Sequence, residues 1–237
     1  TALTRTWPSP HKVNEDRILC DPEAGLCGVL DGECNDGLAA DVAVGCLREH
    51  RDELLGAVQG GAEAAREALA RAVEAVAKAI HALSTSPGSA GCFASMTCCV
   101  ILPGHLVVAH IGDSRLYRLE SRGWRLLTMD HSLVWDLRRS GALVDLREMI
   151  RDHSTVVTRM LGMPLPIEAD IEVLPHGGES LLLLTDGAWR PFDPDLMGHG
   201  PLALDGQELL DWIRARHVED GERDDASVVI VGAELHR

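Results

Sequence analysis

Apolar positions along the chain change period several times, and each change marks an element boundary. Between Ala62 and Leu83 the residues Leu69, Val73, Val76, Ile80 and Leu83 recur at intervals of four and three, which predicts a helix with one buried stripe. Alanines fill much of the rest of that segment and favour close packing on a sheet. Asp36 to Leu55, with Leu38, Val42, Cys46 and Leu47, predicts a second helix of the same kind. Lys12 to Cys20 and Leu26 to Asp31, on either side of Asp21-Pro22-Glu23-Ala24-Gly25, predict a β-hairpin with a longer loop. After the Ser/Pro/Gly-rich stretch 84–91 the pattern becomes that of strands. Phe93 to Leu102, His105 to Ile111, Ser114 to Leu119 and Trp124 to Leu127 are broken by Pro103-Gly104, Gly112-Asp113 and Ser121-Arg122-Gly123, the spacing of an antiparallel meander. Short helices are predicted at Ser132 to Ser140 and Thr155 to Leu161, strands at Ile167 to Leu174 and Ser180 to Thr185, a helix at Gln207 to Arg216 and a last strand at Ala226 to Val231. Helices inserted as pairs among strands, without β-α-β alternation, predict an α+β layered sandwich.

Three of the apolar runs end in an aspartate. Leu181-Leu182-Leu183-Leu184-Thr185-Asp186-Gly187 has the same grammar as Gly28-Val29-Leu30-Asp31-Gly32 and as Val107-Val108-Ala109-His110-Ile111-Gly112-Asp113. An Asp-Gly after a strand is commonly just a turn. Several carboxylates brought together at strand ends, however, repel one another unless a cation lies between them. The acids placed to converge are Asp16 with Glu15 beside it, Asp31, Asp113, Asp186 and the pair Asp224-Asp225. An all-oxygen donor set selects Mg²⁺ or Mn²⁺ over Zn²⁺. Two such ions about 3.5–4 Å apart lower the pKa of a bridging water and clamp the oxygens of an in-line displacement at phosphorus.

Composition narrows this picture. The 237 residues, 46% hydrophobic and free of linker-like tracts, predict one domain spanning 1–237. The formal charge of -15, from 37 acidic against 22 basic residues, argues against nucleic acid as a partner. No apolar run approaches bilayer length, and Thr1 to Pro10 lacks the pattern of a signal peptide, so a cytoplasmic protein without a membrane partner is expected. The cysteine count, seven, is odd, and Cys20, Cys27, Cys92, Cys98 and Cys99 sit in apolar, strand-like settings that suit buried free thiols. Cys98 and Cys99 are adjacent in a strand and so point to opposite faces.

The motifs in order are Asn14-Glu15-Asp16-Arg17, Val29-Leu30-Asp31-Gly32, Gly112-Asp113-Ser114-Arg115, Leu127-Thr128-Met129-Asp130-His131-Ser132, Val157-Thr158-Arg159-Met160-Leu161-Gly162, Leu184-Thr185-Asp186-Gly187 and Arg223-Asp224-Asp225-Ala226-Ser227. In this order and spacing they resemble the metal-dependent serine/threonine protein phosphatases of type 2C, from about Val13 to Val231, and the compact stretch between His131 and Gly162 is similar to the bacterial branch. The resemblance implies a four-layer α-β-β-α sandwich of two antiparallel sheets flanked by helix pairs. It implies two Mn²⁺ or Mg²⁺ ions, with Asp31 bridging both, Asp186 and Asp224 completing the first site and the Gly32 carbonyl contributing to the second. Glu15 and Asp16 would act around the second ion, and Asp113 with Asp186 would hold a more labile third. The activity implied is hydrolysis of phosphoserine and phosphothreonine in a protein substrate by direct attack of a metal-bridging hydroxide, by a monomer opposing a protein kinase in bacterial signalling.

The chain departs from the family pattern at several places. Where the family has a phosphate-binding arginine this chain has His11, so capture of the substrate phosphate falls to His11 or to a nearby cation such as Lys12 or Arg5, or His11 is a surface residue without a role. Glu33-Cys34-Asn35-Asp36-Gly37 replaces the usual glycine pair, which either adds acids beside the ions or rebuilds a turn capping the next helix. An acidic position after the second Asp-Gly is Arg190, a cation that would repel a metal, attract a phosphate or point away. Trp135, Trp189 and Trp212 read as core, His131 as a residue that orders a turn, and Ser114 and Arg115 as supports for Asp113. The rival reading is a pseudophosphatase, a regulatory binding module without turnover, which His11 and Arg190 favour and Asp31, Asp186 and Asp224 oppose.

Overall fold

A computed structural model describes residues 2–10, 12–34, 37–141, 156–192 and 206–232. Its strands are β1 (Ala2–Trp7), β2 (Asp16–Asp21), β3 (Leu26–Glu33), β4 (Phe93–Leu102), β5 (His105–Ile111), β6 (Arg115–Glu120), β7 (Gly123–Leu126), β8 (Asp170–Pro175), β9 (Leu181–Leu184) and β10 (Ala226–Val231). Its helices are α1 (Leu38–Glu49), α2 (Arg51–Gln59), α3 (Ala62–Ser84), α4 (Leu133–Arg139), α5 (Asp186–Trp189) and α6 (Gly206–Glu219). The strands form two antiparallel five-stranded sheets, in the orders β1-β10-β9-β6-β7 and β2-β3-β4-β5-β8. The α+β sandwich expected from the sequence is therefore the architecture observed.

Three apolar layers hold it together. Helices α1 and α3 place Ala39, Leu47, Leu69, Val76 and Ile80 against Leu30, Met96, Cys98 and Ala109 of the second sheet. Between the sheets lie Val29, Cys99, Leu106, Leu116 and Val229, and on the outer face of the first sheet α6 packs Leu209, Leu210 and Ile213 against Tyr117 and Val228. The four-leucine run now has a physical reason: Leu181 and Leu183 enter the inter-sheet layer while Leu182 and Leu184 enter the layer under α6. A central strand buried on both faces needs no polar alternation. Cys98 and Cys99 divide in the same way, one to each face of β4.

Several expectations need correction. The meander is shared between the sheets, because the chain leaves one sheet after β5 and enters the other at β6. Gly112 makes this crossing with φ of 103°, and a Cβ there would lie 2.2 Å from the Ser95 side chain. β1 has no counterpart among the predicted strands, since its alternating polar residues belong to a sheet edge. The first hairpin strand starts at Asp16 rather than Lys12, and the helix expected over 36–55 breaks at His50 into α1 and α2. Residues 156–161 are not helical: Val157 bridges Ser132 and Leu161 bridges Ala94. Cys92 is not a free thiol, because it forms a disulfide with Cys34. The β3–β4 ladder pairs Glu33 with Phe93, so Cys34, just after Glu33, faces Cys92, just before Phe93, with Cα atoms 4.9 Å apart.

Candidate metal centre

Strand register assembles the acids. Asp16 and Asp31 are direct partners in the β2–β3 ladder, and Arg115 of β6 is opposite Leu184 of β9, which sets Asp113 and Asp186 at the same end of the sandwich. The result is a group in which one carboxylate oxygen each from Asp31, Asp113 and Asp186 lies within 4.8 Å of the others. Asp113 and Asp186 are buried and Asp31 is half-buried. Burial first, and then repulsion from neighbouring carboxylates, pushes the pKa of Asp31 well above the usual range, with Asp186 the strongest of those neighbours. Asp113 is raised by burial and Asp186 against the pull of Arg190, and Asp186 by burial against that same pull. Among the described residues no cation pairs with Asp31.

Asp16 is fixed from the other sheet, by the residue that follows β9. Thr185 Oγ1 donates to its Oδ2 at 2.7 Å, while Thr185 is itself tied to Ser227, whose amide donates to Thr185 Oγ1 at 2.8 Å. The other oxygen of Asp16, Oδ1, is buried and has no partner among the described residues. Burial pushes Asp16 up to about 8, although Thr185 and Ser227 favour its anion. Gly187 is required at its place, since a Cβ would sit 2.1 Å from the Asp225 carbonyl oxygen.

The remaining predicted acids lie on a neighbouring edge. Lys12 Nζ is 2.9 Å from Asp224 Oδ1 and 3.2 Å from Glu15 Oε2. Burial works against this ammonium, but Asp224, Asp225 and Glu15 outweigh it and raise its pKa. The Gly32 amide donates to the Glu15 carbonyl at 3.3 Å, which ties β3 to the segment carrying Lys12. Glu15 and Asp224 thus stand beside Lys12, outside the group formed by Asp31, Asp113 and Asp186. His11, Asn35 and Asp36 lie outside the described residues. Gly37 is the N-cap residue of α1, with no side-chain cap hydrogen bond among the described residues.

Other residues of the site were not legible as functional. Asp225, one of the acids that the sequence places to converge, is buried and accepts the Ser9 amide at 2.7 Å and the Glu15 amide at 2.8 Å, so it fastens the N-terminal segment. Its only signal was its place in an Asp-Asp pair. Arg115 is buried, and its Nε and Nη2 donate to Asp130 at 2.9 and 2.7 Å while the guanidinium lies 3.5 Å from the Trp189 ring centroid. Trp189 Nε1 donates to the Asp113 carbonyl at 2.9 Å. These contacts set the Asp113 turn, as read from the sequence. His131 accepts the Gly112 amide at Nδ1 (3.1 Å), so its Nε2 carries the hydrogen and donates to Asp170 Oδ2 (3.1 Å). Both of its nitrogens are therefore engaged.

The donor set suits a hard divalent cation at Asp31: oxygens only, excess negative charge, and a buried oxygen of Asp16 without a partner in the opposite strand. The Asp113–Asp186 side is different. Arg190 Nη2 is 2.6 Å from Asp186 Oδ2 and 3.3 Å from Asp113 Oδ2, so a cation already stands between those two carboxylates.

No family model matches the chain. A serine/threonine phosphatase, Stp, of Listeria monocytogenes is 34% identical over 94 residues, which are 39% of this chain and 37% of the relative. The chain thus spans little more than a third of the length of that curated relative. The crystal structure of the Mycobacterium tuberculosis serine/threonine phosphatase PstP/Ppp superposes with a TM-score of 0.83 at 22% identity, covering 99% of this chain and 98% of that one. A second structure, the catalytic domain of PstP in complex with two manganese ions, has a TM-score of 0.80 at 22% identity and covers 97% of this chain and 96% of its own.

Proposed function

We propose that this chain, a bacterial-type member of the type 2C serine/threonine phosphatases by motif order and fold, hydrolyses phosphoserine and phosphothreonine in protein substrates with the help of Mn²⁺ or Mg²⁺. The observation that carries the reading is the convergence of Asp31, Asp113 and Asp186 from three separate strand ends to within 4.8 Å, on a fold shared with phosphatases of that specificity. The manganese pair in the PstP complex supports two ions here, which Asp31, Asp16, Glu15, Gly32, Asp186 and Asp224 would hold. When bound, such ions supply an activated water and a clamp for the phosphate oxygens.

The chain's own residues prepare that chemistry. The β2–β3 ladder keeps Asp31 opposite Asp16, and Thr185 fixes the Asp16 carboxyl. Asp225 anchors the segment that carries Lys12 and Glu15. Lys12, with a side chain 39% exposed beside Asp224, would meet a substrate phosphate as its cationic partner. His131 is a positioning residue, since its hydrogen bonds to Gly112 and Asp170 leave neither nitrogen free for proton transfer.

The same reading makes residues 1–237 one catalytic domain, acting as a cytoplasmic monomer against a protein kinase of its own cell. Among the described residues no helix is long and apolar enough to cross a membrane. The test is phosphate release from phosphothreonine and phosphotyrosine peptides in Mn²⁺. Release from phosphothreonine alone is expected. Mn²⁺ binding without release from any phosphoserine or phosphothreonine substrate would favour a regulatory binding module instead.

A further inference from the structure

Arg190 stands in the helical turn that follows α5, four residues beyond Asp186. That spacing returns its side chain over Asp186 on the same helical face. Its Nη2 is 2.6 Å from Asp186 Oδ2 and 3.3 Å from Asp113 Oδ2, which are charge-assisted hydrogen bonds to two of the three clustered carboxylates. The guanidinium is also held against Trp189, 5.7 Å from its ring centroid, and the indole of Trp189 in turn donates to the Asp113 backbone. A guanidinium is permanently charged and planar, so this cation does not come and go with pH or with the metal supply. An oxygen-coordinated ion of the Mg²⁺ kind needs both carboxylates at about 2.0–2.1 Å, and the position from which it could reach them is occupied by Nη2. Placing the ion beside the guanidinium would add cation repulsion to the crowding.

From this geometry we infer that Arg190 is a built-in cation that takes the place of a third metal ion at the Asp113–Asp186 pair, leaving a two-ion centre whose third positive charge is part of the chain. The inference rests on the metal-dependent phosphatase reading for its two ions. It concerns the third position alone, which the resemblance assigns to a labile ion and the structure assigns to a side chain.

The test counts Mn²⁺ on the intact chain by native mass spectrometry and calorimetry, and pairs the count with thermal unfolding in EDTA. The wild type should bind two ions, and Arg190→Asp should bind a third that is lost again when Asp113→Asn is added. In EDTA, Arg190→Ala should melt about 5 °C lower than the wild type because two buried carboxylates lose their cation, and Arg190→Lys should recover most of the loss. Mn²⁺ should restore Arg190→Ala by filling the vacated position. A third Mn²⁺ on the wild type that disappears in Asp113→Asn would overturn the inference. So would an Arg190→Ala variant with unchanged melting in EDTA, unchanged ion count and a raised KM for phosphopeptide, which would make Arg190 a phosphate ligand. If the wild type binds no Mn²⁺, the metal-dependent reading fails, while the EDTA melts still decide whether Arg190 balances the two aspartates.

Discussion

Removing the charge of Asp31 should stabilise the metal-free protein while destroying its capacity for metal. One carboxylate oxygen each from Asp31, Asp113 and Asp186 lies within 4.8 Å of the others, and Arg190 makes its ion pairs with the latter two. Two unit charges at that separation repel by about 3.5 kcal/mol at an effective dielectric constant near 20. Asp31 meets both neighbours, but shared protonation relieves part of the repulsion, so Asp31→Asn should gain about 3 kcal/mol in EDTA at neutral pH. For a chain of this length the gain amounts to a melting temperature roughly 6–12 °C higher. The pH dependence follows from the raised pKa of Asp31. Its contribution to folding is fully present below the ordinary value of 3.8 and is lost as pH rises through the raised folded value. The variant and the wild type should therefore unfold alike near pH 4 and diverge as pH rises, with the variant ahead. Added Mn²⁺ should reverse the order, raising the wild type and leaving the variant unmoved. Urea unfolding with EDTA at pH 4, 6 and 8 measures all of this. A variant no more stable than the wild type at pH 8, or a gap that does not change with pH, would refute the reasoning.

Three further perturbations reach the supports of the site. Asp130→Ala removes the carboxylate that balances the buried Arg115 guanidinium and should cost about 3–5 kcal/mol by urea unfolding, whereas Arg115→Met with Asp130→Leu should restore much of it; a loss below about 1 kcal/mol would contradict the pairing. Cys34→Ser should lower stability by about 2–4 kcal/mol and make it insensitive to reductant, because the Cys34–Cys92 bond closes a loop with a sequence separation of 58; an unchanged melt in dithiothreitol would argue that the bond does not form. His110 is buried beside His131 and pushed down to about 4, mainly by burial, so the folded state holds it neutral and stability should fall by on the order of 3 kcal/mol as pH drops from 6.5 towards 4. His110→Gln should flatten that acid limb, and an equally steep limb in the variant would place the titration elsewhere.

Much of the fold could be read from periodicity because burial is decided locally. The β2–β3 hairpin and the α3 stripe each bury a face whose period is written in consecutive residues, and the unbroken leucine run buries both faces of β9. What escaped depends on partners distant in sequence. β1 is an edge strand that pairs with the distant β10, and the crossing of the meander between two sheets brings Gly112 so close to Ser95 that a Cβ there would clash. Cys34 and Cys92 become partners only through the β3–β4 register. At the site, the strand-end aspartates announced themselves by type and position. The roles of Asp225 and Arg190 did not, because an acid and a base in a motif leave open whether each meets an ion, an amide or another side chain. The distances from Asp225 to the Ser9 and Glu15 amides, and from Arg190 to Asp113 and Asp186, carry that information.

The most direct measurement is the Mn²⁺ dependence of phosphate release from a phosphothreonine peptide by the wild type and by Asp31→Asn, both shown to be folded. Saturable activation of the wild type, its loss in EDTA and a fall of about 100-fold or more in the variant are predicted. Turnover that survives EDTA, or an Asp31→Asn variant that keeps the wild-type rate, would contradict a centre organised on Asp31.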